Sequence, residues 1–330
     1  MFGKMMNRYY YGKSGKGDFE KEDLPQNRWQ LFWETLRVRF SSLIRLNLMY
    51  VVAWLPALFV IGRFVMYFLS ALMVIDPAAT EAAADAANAT LTLDQSAEMV
   101  QALLMQTLIL LVPAIAITGP FTAGTCYVTR NWARDEHSFV WSDFKDAVKE
   151  NWKHALATST ITSFTPLLLY ICYRFYGDMS ASNPLFIIPQ VMSISIVVLW
   201  LCSLLFTYPQ MVTYQLTFIN LLKNSFFLTI ARLPATVGLK LLSTVPTILC
   251  LGIGFITGYL SIAVIVLLIY YVVLGYSLSR FVAASYTNAV FDRYINTRIE
   301  GAAVNKGLYV EDDEEDDDDE SALPSGNDEQ

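Results

Sequence analysis

Charge, cysteine and histidine are all scarce in this sequence, and each shortage excludes a class of protein. Charged residues make up only 16% of the chain, against roughly 25% in soluble globular domains, which excludes a soluble protein. The four cysteines all fall in apolar stretches without paired spacing, so we expect buried thiols rather than disulfides or a metal site. His137 and His154 are the only histidines and have no ligand-spaced neighbours. We therefore predict neither a metal nor another cofactor.

Apolar residues make up 55% of the chain and gather in long runs. A helix needs about 20 mainly apolar residues to cross a hydrocarbon layer of ~30 Å. The last long stretch would be about twice that thickness, so we divide it at Gly252, Gly254 and Gly258. Six spans result, at roughly 46–73, 102–128, 155–175, 185–208, 236–255 and 258–283. The sequence thus predicts an all-α, polytopic membrane protein with six transmembrane helices.

Lysine and arginine are concentrated in every second segment between these spans, which places them on one side of the membrane. Nine precede the first span, none lies between the first and second, and five lie between the second and third. Because cytoplasmic loops hold an excess of these residues, we expect both termini to be cytoplasmic. The predicted location is the plasma membrane, with multiple crossings.

The negative net charge of −7 comes from one end of the chain. Residues 311–320 are ten consecutive acids, which repel one another and cannot bury apolar area. We predict a basic and aromatic cytoplasmic segment at 1–27, a membrane domain at 28–300 and a disordered acidic tail at 301–330. The tail is either solubilising or a salt-sensitive contact for a basic segment of this chain or of a partner.

Two segments that precede spans have the pattern of amphipathic helices. In residues 28–45, apolar residues recur at helical spacing on one face, as expected of an interfacial helix that lies in the headgroup layer. This helix either anchors the first span or binds a partner. In residues 129–156, Trp141, Phe144 and Asn151 share one helical face, and the nearby charges nearly cancel. That face either docks on a partner protein or packs on the protein's own spans.

No aspartate or glutamate lies inside any of the six predicted spans. Coupled transporters commonly use buried carboxylates, and catalytic sites need paired acids, an activated nucleophile or a metal cluster. We therefore predict that the protein is not an enzyme. Arg63 is the deepest basic residue and Thr162 lies in a span rich in serine and threonine, so both are candidate intramembrane polar residues. Lys240 and Arg280 lie towards span ends, where we expect them to snorkel to the interface.

A family resemblance is carried by residues 118–156, which read TGPFTAGTCYVTRNWARDEHSFVWSDFKDAVKENWKHAL. This stretch resembles the YesL-like family of bacterial integral membrane proteins, a domain of unknown function. The residues that carry the resemblance are Gly119, Pro120, Thr122, Ala123, Tyr127, Arg130, Arg134, Trp141, Phe144 and Asn151. The resemblance implies a link to bacterial carbohydrate uptake and degradation but no molecular activity. The alanine-rich loop at 77–98 and the acidic tail depart from the family pattern.

Two functions remain open from the sequence. The first is an accessory or scaffold protein whose 129–156 helix binds a membrane or cytoplasmic partner, such as a carbohydrate transporter. Its candidate partner-binding residues are Arg130, Arg134, Trp141, Phe144 and Asn151, and its candidate packing joint is Gly119, Pro120, Thr122 and Ala123. The alternative is a small permease or flippase whose helices are broken by proline, at Pro56, Pro113, Pro166, Pro189 and Pro246. Both have the lipid bilayer as a partner, neither involves nucleic acid, and the oligomeric state is open.

Overall fold

The computed structural model describes residues 25–75 and 93–309, which form helices and short connections without a β-strand. The helices are α1 Arg28–Ile75, α2 Leu93–Ala116, α3 Thr118–Ala133, α4 Val140–Ser180, α5 Ile187–Met211, α6 Phe218–Ala231, α7 Leu233–Thr257, α8 Leu260–Tyr270 and α9 Tyr276–Tyr294. A π-helical turn, Tyr271–Gly275, joins α8 to α9. The all-α prediction is confirmed. Residues 1–24 of the predicted basic segment, most of the exterior loop and the acidic run lie outside the described residues.

Six helical segments are long and apolar enough to cross a membrane. They are Arg28–Phe68, Ala97–Ala116, Val140–Ser180, Pro184–Met211, Leu233–Thr257 and Leu260–Arg298. This confirms six spans and the division of the last apolar stretch near Gly258. Gly258 follows the last residue of α7 with φ of 77°, a left-handed conformation that ends helices and favours glycine. The protein is therefore a multi-pass membrane protein.

Helix α1 runs unbroken from Arg28 into the first span, so the predicted separate interfacial helix at 28–45 is wrong. Its 48 residues have a length of about 72 Å at 1.5 Å per residue. Between Arg28 and Pro56 the helix has no glycine or proline that could turn the chain. The inner face of this extension is also covered by protein, since Phe32 stacks on Phe281 of α9 at 5.1 Å between ring centroids.

The second span ends earlier than predicted, because the helix breaks at Ile117 rather than running to residue 128. Helix α2 ends at Ala116 and α3 begins at Thr118. Pro120 lies in the first turn of α3, where its missing N–H costs no hydrogen bond. The proline-rich sequence predicted broken helices elsewhere, and this prediction is wrong: Pro56, Pro113, Pro166 and Pro246 lie inside continuous helices. Pro189 lies in the first turn of α5, which also tolerates proline.

One end of each of the helices α1, α4, α5 and α9 packs with α3 and α6 at one end of the molecule. We call this end the basal lobe and define it as residues 28–50, 118–160, 202–231 and 276–309. Its core is formed by buried apolar residues, among them Leu43, Val128, Trp132, Phe144, Phe206, Phe281 and Phe291. The spans instead expose large apolar side chains, as Phe255 and Ile256 show at 80% and 84% exposure. Such exposure is expected where lipid, not protein, covers a helix.

The basal lobe also gathers the basic segments that the sequence predicts on one side of the membrane. Arg28 of α1 pairs with Asp292 of α9, and Arg130 of α3 is hydrogen-bonded to the connection after α5. The backbone N–H of Tyr309 donates to the carbonyl oxygen of Pro25 at 3.0 Å. The described chain therefore begins and ends at this same end of the molecule.

Candidate functional site

Helix α3 is the centre of the basal lobe. Twelve of its sixteen residues are buried, although it lies outside the candidate spans. A Cβ atom at Gly119 would lie 2.2 Å from Ser159 Oγ and 2.3 Å from the carbonyl oxygen of Ala155, both on α4. The Ser159 hydroxyl donates to the carbonyl oxygen of Ala116 at 2.5 Å. Because residue 119 is glycine, α4 can pack closely on α3, and its Ser159 can bond to Ala116 at the break between α2 and α3.

The other three residues of the candidate packing joint also lie in the first turns of α3. Thr122 Oγ1 donates to the carbonyl oxygen of Thr118 at 2.9 Å and accepts from the Tyr50 hydroxyl of α1, also at 2.9 Å. Ala123 is fully buried in an apolar cluster with Tyr208 of α5. Pro120 lies in the first turn of α3, two residues before Thr122. This stretch therefore contacts α1, α4 and α5 at once.

The candidate partner-binding face of α4 is divided between core and surface. Phe144 is buried against α3 in the basal core, so its side chain is not available to a partner. Asn151 donates to the carbonyl oxygen of Ala147 in its own helix at 3.1 Å. Trp141 is 67% exposed, although its neighbour Val140 packs on the same core as Phe144, so the Trp141 side chain points away from that core. Of the two aromatic residues, only Trp141 remains accessible for docking.

Arg130 and Arg134 belong to a network that holds the lobe together. Arg130 donates through Nη1 to the carbonyl oxygen of Val212 at 2.8 Å, and its guanidinium lies over the Tyr127 ring at 4.8 Å. Burial lowers the pKa of Arg130, an effect that the nearby carboxylate of Glu136 opposes. Glu136 also pairs with Arg134 at 3.3 Å and with Lys306 at 2.8 Å. These arginines connect α3 to the α5–α6 connection and to the chain after α9.

A polar cleft of about 740 Å³ opens beside this network. We call it the basal cleft. One wall is Glu150, Asn151 and His154 of α4, and the other is the connection between α5 and α6, residues 211–218. The His154 ring stacks on the Phe218 ring at 5.8 Å between ring centroids, which joins the two walls. Two of the polar residues, Glu150 and His154, are ionisable, and Asn151 offers an amide.

The same connection also borders a second recess of about 370 Å³, lined by Gln210, Asn224 and Ile295 among others. Gln210 is fully buried, and neither atom of its side-chain amide has a hydrogen-bond partner among the described residues. Such an unpaired buried group typically costs about 1–3 kcal/mol. Tyr214 borders the recess and donates to Asn296 Oδ1 at 2.7 Å. Burial raises the pKa of Tyr214 to about 12, so its phenol stays protonated at neutral pH.

This arrangement suits hydrogen-bonded recognition of a polar segment. Amides, a carboxylate, an imidazole and exposed loop backbone line one open cleft, while the residues behind it are fixed by the Arg130 network. The Thr213 hydroxyl in the cleft donates to the carbonyl oxygen of Pro209 at 2.6 Å, and so is not aligned with His154 or Glu150 as a nucleophile would be.

The two candidate intramembrane residues are not brought together. Arg63 of α1 lies 5.9 Å from the Tyr67 ring centroid, and its buried Nη2 has no hydrogen-bond partner in the described part of the chain. Thr162 of α4 accepts from the indole N–H of Trp200 at 3.1 Å and donates to the carbonyl oxygen of Thr158 at 2.8 Å. Thr162 therefore joins α4 to α5.

Sequence reasoning did not identify the 211–218 wall of the cleft or the unpaired Gln210. Both follow a span whose apolar run gives no sign of a binding role. The available signal was the run of polar residues Thr213, Gln215 and Thr217 between two apolar helices, which is typical of a loop and not specific for a site.

A family model matches part of this chain. It is described as a protein of unknown function, DUF624, and it matches residues 99–173. That range contains most of α2, all of α3, and α4 through the Glu150, Asn151 and His154 wall of the cleft. The match is consistent with the YesL-like resemblance, and its description names no activity. No curated protein and no solved structure matches the chain.

Proposed function

We propose that this membrane protein is a non-enzymatic accessory or scaffold protein that binds a partner protein at the basal cleft. The observation that carries the proposal is the 740 Å³ polar cleft between α4 and residues 211–218. The cleft lies on a lobe whose core is packed, and Arg130 and Arg134 behind it are already paired with Glu136, so it is preformed. Preformed binding surfaces lose less entropy on association.

The partner we propose is the membrane-embedded subunit of a carbohydrate transporter. Two arguments support it. The family resemblance implies a link to carbohydrate uptake, and the cleft lies next to the spans, where another membrane protein can reach it. Lys149 and Lys153 flank Glu150 along α4, so the rim of the cleft carries both signs of charge. A partner segment rich in amides and hydroxyls, rather than one of strong single charge, suits such a rim.

We also propose the plasma membrane as the location, with the basal lobe in the cytoplasm. The positive-inside rule supports this orientation, since the lobe carries Arg28, Arg130, Arg134 and Arg293. The permease alternative loses support, because prolines inside four of the spans leave those helices continuous. A path of broken helices at mid-membrane was the main reason for that alternative.

Photo-crosslinking from two sides of α4 tests the proposal. Glu150 and Trp141 are nine residues apart, so they point in directions about 180° apart on a helix with 3.6 residues per turn. Both are exposed, and neither contributes to the basal core. A photoreactive amino acid at position 150 should capture a transporter subunit in native membranes, and the same amino acid at position 141 should capture much less.

The control and the contradicting outcome follow from the same pair of positions. Equal capture of the transporter subunit from both positions would indicate unspecific proximity. Capture from position 141 alone would move the docking surface to the exposed end of α4. If position 150 yields only contacts within this protein, the proposed function is wrong.

A further inference from the structure

A cavity of about 220 Å³ lies where the last two spans meet the basal lobe. It is bordered by the basal half of α5, by α7 and by the π-helical turn with the first residues of α9. Its polar lining comprises Lys240, Ser243, Thr244, Tyr276, Ser279 and Arg280. The volume is several times the ~30 Å³ of one water and below the ≈300–1,000 Å³ of pockets for drug-sized ligands. It therefore suits a single small polar group.

Two cations line this cavity without an anion beside them. Lys240 and Arg280 come from different helices and are both partly buried. Within residues 25–75 and 93–309, neither lies within salt-bridge distance of a carboxylate. Helices α5, α7 and α8 contain no acidic residue, and the single acid on α9, Asp292, is paired with Arg28. Lys240 and Arg280, which the sequence predicts to snorkel from separate span ends, thus converge on one cavity.

The wall that carries Arg280 is fixed in position. The side-chain amide of Asn47, fully buried on α1, donates to the carbonyl oxygens of Tyr271 and Val272 at 2.8 and 2.7 Å. Its Oδ1 accepts from the backbone N–H of Ser277 at 2.8 Å. A π-helical turn replaces the regular backbone hydrogen bonds of an α-helix by i→i+5 bonds. The two carbonyl groups and the N–H that bond to Asn47 lie in this turn and just after it. Because each residue of an α-helix turns by about 100°, the extra residue of the turn also decides which face Arg280 occupies.

The surroundings of Arg280 place the cavity at the boundary between membrane and lobe. Its guanidinium lies 5.7 Å from the ring centroid of Tyr208, and Tyr208 belongs to the basal core. Lys240 is on the other side of the cavity, seven residues after the start of α7 at Leu233. The cavity therefore lies towards the basal ends of these spans. Basic pockets between transmembrane helices on the cytoplasmic side are sites for anionic headgroups.

We propose that this cavity binds a phosphate-bearing anion between Lys240 and Arg280. A phosphate oxygen accepts from a guanidinium and an ammonium at once, and the hydroxyls of Ser279 and Tyr276 line the same space as further donors. The anion is either the phosphodiester of an anionic phospholipid or free phosphate. The site is separate from the basal cleft and does not depend on the proposed partner.

Lipid retention by the purified full-length protein tests the site. Native mass spectrometry would measure how much phosphatidylglycerol or phosphatidylcholine stays bound after both are supplied in equal amounts. Wild-type protein should retain phosphatidylglycerol at least tenfold better, a comparison that requires no variant to fold. Lys240→Gln and Arg280→Gln should reduce this preference at least tenfold, and Arg63→Gln, a membrane arginine outside the cavity, should leave it unchanged.

Inorganic phosphate distinguishes the two sources of the anion. If phosphate at millimolar concentration neither displaces phosphatidylglycerol nor raises the Tm of lipid-depleted protein, the lipid is the ligand. If phosphate displaces the lipid and raises the Tm in wild type but not in Arg280→Gln, free phosphate is the ligand. Equal retention of both lipids by wild type, with no effect of phosphate, would overturn the proposal. So would a preference for phosphatidylglycerol that Lys240→Gln and Arg280→Gln both preserve.

Discussion

Replacing Asn47 by leucine should destabilise the protein more than any other exchange of asparagine for leucine in the described chain. Asn47 is fully buried and makes three hydrogen bonds to the π-helical turn and Ser277. Leucine has a similar size, so the loss is one of hydrogen bonds rather than of packing. At a membrane average of ~0.6 kcal/mol for each bond, the three contribute about 2 kcal/mol. At the net value of ~1.5 kcal/mol found at the upper end in soluble proteins, they contribute about 4.5 kcal/mol.

The assay is equilibrium unfolding in mixed micelles, followed by circular dichroism. The matched control is Asn151→Leu, because the Asn151 amide makes one bond to its own helix, to Ala147. This control should lose less than ~1 kcal/mol, and Asn47→Leu should lose about 2–4.5 kcal/mol by the sum above. A loss for Asn47→Leu no greater than for Asn151→Leu would refute the role of Asn47 in holding the π-helical turn.

Three further predictions use the same unfolding assay or simple labelling. Gly119→Ala should cost about 3 kcal/mol, at the upper end for an overpacked core, because its Cβ would meet a backbone carbonyl at 2.3 Å; Gly62→Ala, with nothing within 4 Å, should cost nothing measurable. Phe144→Ala should lower the free energy of unfolding by about 3–5 kcal/mol, whereas Trp141→Ala should change it by no more than ~0.5 kcal/mol. Equal losses in the two variants would contradict the burial of Phe144. A cysteine at position 141 in a cysteine-free protein should react with an impermeant maleimide only in inside-out vesicles; labelling of intact cells would contradict the proposed orientation.

The number of spans and the fold class could be predicted from the sequence because both depend on local composition. An apolar run of about 20 residues has a length matched to the bilayer wherever it lies in the chain. The end of α7 at Gly258 could also be predicted locally, since a glycine in the left-handed conformation ends a helix whatever packs around it. The break at Ile117 was harder to predict, because the residues on both sides of it are apolar. It is stabilised from outside the segment, by the Ser159 hydroxyl of α4.

Features of the candidate sites depend on residues that are far apart in sequence. Lys240 and Arg280 are forty residues apart in the sequence. Each lies towards the end of a predicted span, a position that is typical of side chains that snorkel to the interface. Only the packing of α7 on α8 and the π-helical turn brings them to one cavity. The helical periodicity of α4 placed Trp141 and Phe144 on one face, but it could not show which part of that face α3 covers. The core that includes α3 packs against Val140 and Phe144 and leaves Trp141 exposed.

Blocking the basal cleft in living cells tests the central claim most directly. Asn151→Arg would place a long cationic side chain in the cleft, and Lys145→Ala, an exposed change elsewhere on α4, is the matched control. Uptake of the carbohydrate carried by the transporter crosslinked at position 150 should fall severalfold with Asn151→Arg and stay normal with Lys145→Ala. Both variants should be present in the membrane in equal amounts. Normal uptake with Asn151→Arg at wild-type protein levels would contradict a docking function for the cleft.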